Sequence, residues 1–170
     1  MTPKKPFSKP RYPLVSCSLR RLNPEDASVL SRALVSLDPW LTLEYRAEGL
    51  DRYLTEPDLS LGRFVIAVED VTAGVVVVRH PWLKGSLLEL IAILPPYQGR
   101  GLGREVMKWL ERESRGTYRN AWILVSGFNR GARAFYRLLD YQEIAPLTDL
   151  VKPGYDEFLL RKTLPGKDNK

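Results

Sequence analysis

The chain has 170 residues, 44% hydrophobic and 27% charged, with a formal charge of +6, one cysteine and one histidine. That length fits a single core, the mixture suits a solvated globule, and a lone Cys17 excludes an internal disulfide and gives no sign of an oxidising compartment. No apolar run approaches the ~20 residues of a membrane span, and one Cys with one His cannot build the usual zinc set, so no metal is expected.

Residues 1–10 lack the apolar segment of a secretory signal, which makes the cytoplasm the expected location. The Pro-rich start, with Lys4, Lys5, Lys9 and Arg11, reads as a flexible basic arm over 1–13. The other basic residues are spread along the chain, so a nucleic-acid partner is not indicated. A weakly alternating stretch over 14–20 is a first strand. Asn23-Pro24-Glu25-Asp26 is a helix start, with proline in the first turn and acids beside the positive dipole end, and it predicts a helix over about 24–36. Asp38-Pro39 ends it. Leu43, Ala47, Leu50 and Leu54 recur at helical spacing and place a second helix at about 42–54. Trp40 and Tyr45 beside it are either core aromatics or walls of a substrate pocket.

From Arg63 the pattern changes to "RFVIAVE", "GVVVVRH" and "SLLELIAIL", three apolar runs parted by turn residues, which predicts an antiparallel meander. His80, just before Pro81, reads as a loop residue. A helix over 103–113 with Val106, Trp109 and Leu110 facing inward follows. Then come the strand "AWILV", a helix in "NRGARAFYRLLDY" capped by Asn129, a strand within 141–150 and the alternating strand "YDEFLLRKTL". The predicted order is β-α-α-β-β-β-α-β-α-β-β, an α/β (α+β) fold. The domain is expected over 14–163, and 164–170 reads as a disordered tail.

The segment "LIAILPPYQGRGLG" joins a strand to a helix through closely spaced glycines. A helix N-terminus has unpaired N–H groups and a partial positive charge, and glycine lets an anion approach the bare backbone. The dinucleotide pattern G-x-G-x-x-G fails, since it would need glycine at Arg104 or Val106, and no P-loop Gly-Lys-Ser/Thr follows. Gln98, Gly101 and Gly103 do fit Gln-x-x-Gly-x-Gly. With it, the stretch resembles the acetyl-coenzyme A pyrophosphate loop of the GNAT superfamily of N-acetyltransferases. Asn129, Ala132, Phe135 and Tyr136 match that superfamily's later Asn-x-x-Ala-x-x-Phe-Tyr segment, while Asp140 and Tyr141 stand where it usually has Gly-Phe.

The resemblance covers about 14–163 and implies a mixed, mainly antiparallel central sheet flanked by helices, and direct transfer of acetyl from acetyl-CoA to a primary amine, with no covalent enzyme intermediate and no role for Cys17. It implies a coenzyme site built from Ile91, Ile93, Gln98, Gly99, Arg100, Gly101, Leu102, Gly103, Arg104, Asn129, Ala132 and Phe135. Within it the backbone N–H of Ile93 would polarise the thioester carbonyl and Asn129 would reach the pantetheine or phosphate region. Tyr136 matches the tyrosine placed near the coenzyme sulfur, where a phenol can donate the leaving proton. Glu89, a carboxylate in an apolar strand whose pKa burial would raise, is the candidate base and is expected to share a face with Ile91 and Ile93. The alternative is that it simply pairs with an arginine.

The acceptor pocket is expected within 37–57, where Glu44, Glu48, Asp51 and Glu56 would suit a cation or be merely solvated. The expected partners are acetyl-CoA, an amine of open identity and, in a homodimer, a second copy. A non-catalytic acyl-CoA sensor or interaction module is the alternative of a different class.

Overall fold

The computed structural model describes residues 5–115 and 118–166. Eight strands and four helices follow in the order β1 (Arg11–Pro13), β2 (Ser18–Arg21), α1 (Pro24–Leu34), α2 (Ala47–Thr55), β3 (Leu61–Val68), β4 (Val71–Trp82), β5 (Gly85–Ile93), α3 (Leu102–Ser114), β6 (Asn120–Ser126), α4 (Arg130–Leu138), β7 (Gln142–Thr148) and β8 (Asp156–Thr163). The strands form one sheet in the order β1-β2-β3-β4-β5-β6-β8-β7. Every neighbouring pair is antiparallel except β5 and β6, so the meander read from the apolar runs and the mixed, mainly antiparallel sheet implied by the family resemblance are both present.

Each face of the sheet carries two helices. On one, Leu102, Val106, Met107, Trp109 and Leu110 of α3 and Tyr136 of α4 pack against Ile66, Val76, Val78, Leu88 and Ile123. On the other, Ala27, Leu30 and Leu34 of α1 and Leu50 and Leu54 of α2 cover Val65, Val75, Val77, Leu90 and Ala92. Alternation along β4 sends Val75 and Val77 to one face and Val76 and Val78 to the other, which is why "GVVVVRH" is apolar throughout. α1 opens as its sequence indicates: the Asn23 side chain accepts from the Asp26 N–H, and the Asp26 carboxylate accepts from the Asn23 N–H, a reciprocal capping box.

Several boundaries differ. From residue 5 onward the expected basic arm is part of the fold. Phe7 and Tyr12 are 4% and 3% exposed, their rings meet Trp109 edge-on at 5.2 and 5.3 Å, and residues 11–13 pair with β2. Two aromatic rings have enough apolar surface to anchor a segment whose prolines and lysines suggest a tail. The strand placed at 14–20 is therefore two short ones joined by a turn. α2 begins at Ala47 rather than near 42, because 35–44 forms a run of turns. Leu164, placed in the tail, is fully buried and its N–H bonds to the Arg119 carbonyl; residues 1–4 and 167–170 lie outside the described residues. His80 is on β4, half-buried with Nδ1 2.9 Å from Ser86 Oγ, and not in a loop. Among the described residues, no helix is long and apolar enough to cross a membrane.

Candidate active site

β5 and β6 begin as parallel neighbours, but their pairing ends at Leu88 and Ile123. Beyond that point β5 stays with β4 to Ile93 and β6 stays with β8 to Ser126, so the sheet opens into a gap. A cavity of about 700 Å³ occupies it, lined by Glu89 to Ile93 of β5, Leu124 to Ser126 of β6, Gln98, Gly99 and Gly103, and Asn129, Ala132, Phe135 and Tyr136 around α4. Leu37 to Trp40, Leu43, Tyr45, Val151 and Glu157 line it as well. Residues that the sequence motifs single out from three separate segments thus meet in one place. Trp40 both lines this cavity and belongs to the α1–α2 core.

The backbone of β5 is directed into the gap. The N–H of Leu94 donates to the Ala73 carbonyl, and antiparallel bonding alternates residue by residue, so the N–H groups of Ile91 and Ile93 point away from β4 and toward the opening. The Ile93 carbonyl is already taken by Gln98 Nε2 at 2.9 Å. This bond ties the strand end to the glycine-rich loop. A bulge interrupts β5: Val78 pairs with Leu88, but Val77 pairs with Leu90, leaving Glu89 as the extra residue.

That bulge overturns the shared face expected for Glu89, Ile91 and Ile93. Ile91 and Ile93 pack on the α3 side. Glu89 instead accepts a hydrogen bond from Tyr53 Oη of α2 at 2.7 Å and forms an ion pair with Arg79 Nε. Arg79 is also 3.0 Å from Asp58, whose carboxyl is held down at about 2, chiefly by hydrogen bonds from Ser60 and then Arg79. Glu89 therefore reaches the cavity with both oxygens engaged. Of its two alternatives the arginine pairing is present, and Tyr53 is a partner that sequence spacing gives no reason to suspect.

The loop after β5 makes one 3-10 turn over Pro95–Tyr97 and reaches α3 through Gly99 and Gly101, both left-handed with φ of 73° and 80°. The first intrahelical bond of α3 runs from the Glu105 N–H to the Gly101 carbonyl. The N–H groups of Leu102, Gly103 and Arg104 precede it and have no intrahelical acceptor. Arg104 and Arg100 are exposed beside them, Arg100 lying 5.2 Å over the Tyr97 ring. Asn129 caps α4: its side-chain oxygen accepts from the Ala132 N–H at 3.1 Å, which leaves its amide N–H₂ to serve the cavity it lines. Tyr136 is buried, and burial raises its pKa above the ordinary phenol value.

The four acids expected to mark an acceptor pocket do not line the cavity. Glu44, Glu48 and Glu56 are exposed, and Glu44 is bound to Lys152 Nζ at 2.7 Å. The carboxylate that sequence reading missed is Glu157, 4% exposed and accepting from Ser126 Oγ at 2.8 Å. Burial raises its pKa against the opposing effect of that bond. Within "YDEFLLRKTL" it looks like an ordinary polar position of an alternating strand. Among the described residues no group of three or more His, Cys, Asp or Glu side chains forms a metal cage.

Residues 26–141 match the family model described as "Acetyltransferase (GNAT) family". Among solved structures, an acetyltransferase from Thermus thermophilus is similar at 22% identity over 88% of this chain and 98% of that one, with a TM-score of 0.70. A variant of the spermidine N-acetyltransferase SpeG from Vibrio cholerae is similar at 18% identity, 87% and 94% coverage and a TM-score of 0.66. RimJ from Mycobacterium smegmatis, in complex with CoA-disulfide, is similar at 14% identity, 94% and 90% coverage and a TM-score of 0.71. At these identities the likeness is one of fold. No curated protein matches the sequence.

Proposed function

Because the chain belongs to the acetyltransferase (GNAT) family, we propose that it transfers acetyl from acetyl-CoA directly to a primary amine. The observation that carries this reading is the gap between β5 and β6, which opens at one end onto the glycine-framed N-terminus of α3. The fit to the donor is chemical. Three free N–H groups at a positive dipole end suit a pyrophosphate, the left-handed glycines leave open space where side chains would stand, and the inward N–H groups of β5 suit an amide-bearing arm.

In this reading the backbone of 98–103, with Arg100 and Arg104 beside it, holds the diphosphate. Ile91 and the Asn129 amide hold the pantetheine arm against Ala132 and Phe135. The Ile93 N–H points at the position of the thioester oxygen, where a fixed donor stabilises negative charge developing during attack. Tyr136, kept protonated by burial, donates a hydrogen bond to the sulfur as it leaves. As the C–S bond breaks, the phenol proton moves to sulfur and a proton of the attacking amine replaces it on the phenol oxygen, so no buried phenolate is left behind. That the similar SpeG and RimJ structures are named for spermidine N-acetylation and for a CoA complex supports an amine acceptor and a CoA donor.

Release of free thiol from acetyl-CoA, followed against pooled polyamines, amino acids, aminoglycosides and peptides with free termini or lysines, tests the reading. Turnover with one pool and an acetyl-CoA-dependent rise in melting temperature are expected. Binding without turnover, unaffected by Tyr136→Phe, would favour an acyl-CoA sensor, and no binding would exclude both.

A further inference from the structure

Resting on that reading, we propose that Glu157 is the residue that receives the acceptor: its carboxylate binds the ammonium form of the amine and takes the proton whose loss frees the nitrogen. Glu157 stands near the start of β8, directly across from Ser126 at the end of β6, where β6 has already parted from β5. It lines the same cavity as Ile93 and Tyr136.

Its surroundings are unusual for a carboxylate so deeply buried. The other buried acid, Glu111, is bonded to Lys162 Nζ at 3.0 Å; the half-buried Glu89 has Arg79, and Asp26 has Arg20. Among the described residues Glu157 has no cation partner, and the single hydrogen bond it accepts, from Ser126, goes to Oε1. Oε2 is left without a partner beside the cavity. A desolvated charge in that condition is costly, and an ammonium group entering through the cavity would offset that cost. Tyr45, Trp40 and Leu43 line the same cavity and offer apolar surface for the carbon skeleton of an amine.

The step balances. The ammonium group passes one proton to Oε2, and the N–H bonding pair becomes the nitrogen lone pair. That pair forms the C–N bond at the thioester carbonyl carbon while the C–S bond breaks, its electrons going to sulfur. The second nitrogen proton passes to the thiolate, giving amide and thiol, and Glu157 later returns its proton to solvent. The other titratable groups lining the cavity are Asp38, Tyr45, Glu89 and Tyr136. Asp38 Oδ1 is held by Thr42 and Glu89 by Arg79 and Tyr53, while the two phenols are raised, Tyr136 by burial and Tyr45 by burial and then by Glu157 itself.

The test uses the full chain, acetyl-CoA and an acceptor panel of spermidine, an alanine tripeptide and a lysine-containing peptide, comparing wild type with Glu157→Gln. The variant is expected to lose about 100-fold or more in kcat/KM for the acceptor and to keep its KM for acetyl-CoA. It should also lose the acidic limb of the pH–rate profile and melt at a higher temperature than wild type at pH 8, because an unpaired buried charge has been removed. A purely structural role predicts the reverse, with a lower melting temperature and both KM values disturbed together, and that result overturns the proposal. Wild-type turnover that Glu157→Gln retains within about threefold overturns this assignment but leaves acetyl transfer standing. Absence of wild-type turnover with every amine overturns both.

Discussion

Tyr136 and Tyr141 are joined twice: the N–H of Tyr141 donates to the Tyr136 carbonyl at 3.1 Å, and their rings meet edge-on with centroids 6.2 Å apart. The Asp140 N–H donates to the Arg137 carbonyl at 3.0 Å, so α4 ends in a Schellman motif that also fixes the tyrosine facing the cavity. Asp140 occupies the left-handed position with φ of 66°, where a side chain costs about 1 kcal/mol relative to glycine. Asp140→Gly is therefore expected to stabilise the protein by ~0.5–1 kcal/mol, raising the melting temperature by a few degrees. Acetyl-CoA KM should not change, since the backbone already has the conformation glycine prefers. Calorimetry of the two proteins, with initial rates alongside, checks this.

The left-handed turn at Asp140 is legible in the sequence because a family pattern marks the position, and the capping box at Asn23 because its chemistry is local. Glu89 and Glu157 are not legible in the same way. The bulge that turns Glu89 toward α2 comes from a mismatch in pairing between β4 and β5, which no property of "LLELIAI" records. The burial of Glu157 depends on the β6–β8 register that sets it against Ser126 and on a cavity whose lining also draws on Leu37 to Trp40, Leu43 and Tyr45. Phe7 and Tyr12 were missed for a related reason: their partner, Trp109, lies about a hundred residues away, and local composition argues for a tail. Local rules identify the donor loop, whereas the acceptor side is assembled from contacts distant in sequence.

Two glycines should fail differently. A Cβ on Gly74 would lie 2.1 Å from the Ala92 carbonyl oxygen, so Gly74→Ala forces β4 from β5 and is expected to destabilise by roughly 2–4 kcal/mol or prevent folding. A Cβ on Gly101 meets nothing within 4 Å, but φ there is 80°. Gly101→Ala should cost only about 1 kcal/mol of backbone strain while placing a methyl at the entrance to α3. Its expected signature is an acetyl-CoA KM raised about tenfold or more with a modest fall in melting temperature. Equal losses of stability in the two variants would show that the loop is only a turn.

Asp26 joins the α1 capping box to Arg20, whose guanidinium donates to its two oxygens at 2.6 and 2.8 Å. The Arg20 hydrogen bonds are the largest cause lowering its pKa. A carboxyl depressed in the folded state contributes stability that is fully present above the unfolded value near 4 and is lost as pH falls through the folded value. Asp26→Asn should thus destabilise by about 1–2 kcal/mol at pH 7, through the lost ion pair and cap. The gap from wild type should narrow as pH falls below ~4. Urea unfolding at pH 7, 5 and 3 measures it, and a gap that stays constant would assign the effect to packing.

The wall opposite the donor loop is held by a link between two segments about a hundred residues apart. Lys152 Nζ lies 2.7 Å from Glu44 and donates to the Thr42 carbonyl at 3.4 Å, while Leu43, Tyr45 and Val151 on either side of that link face the cavity. The pair is exposed on the Glu44 side, so its stability contribution is small and salt-sensitive. Its effect should instead appear in the position of the wall. Lys152→Met is expected to raise the acceptor KM several-fold and leave the acetyl-CoA KM unchanged, because the donor half of the cavity belongs to β5, α3 and α4. Raising ionic strength should move the wild-type acceptor KM toward that of the variant. Steady-state kinetics with each substrate varied separately, at about 50 and 500 mM salt, would show it, and a change confined to acetyl-CoA would place the link on the wrong side of the site.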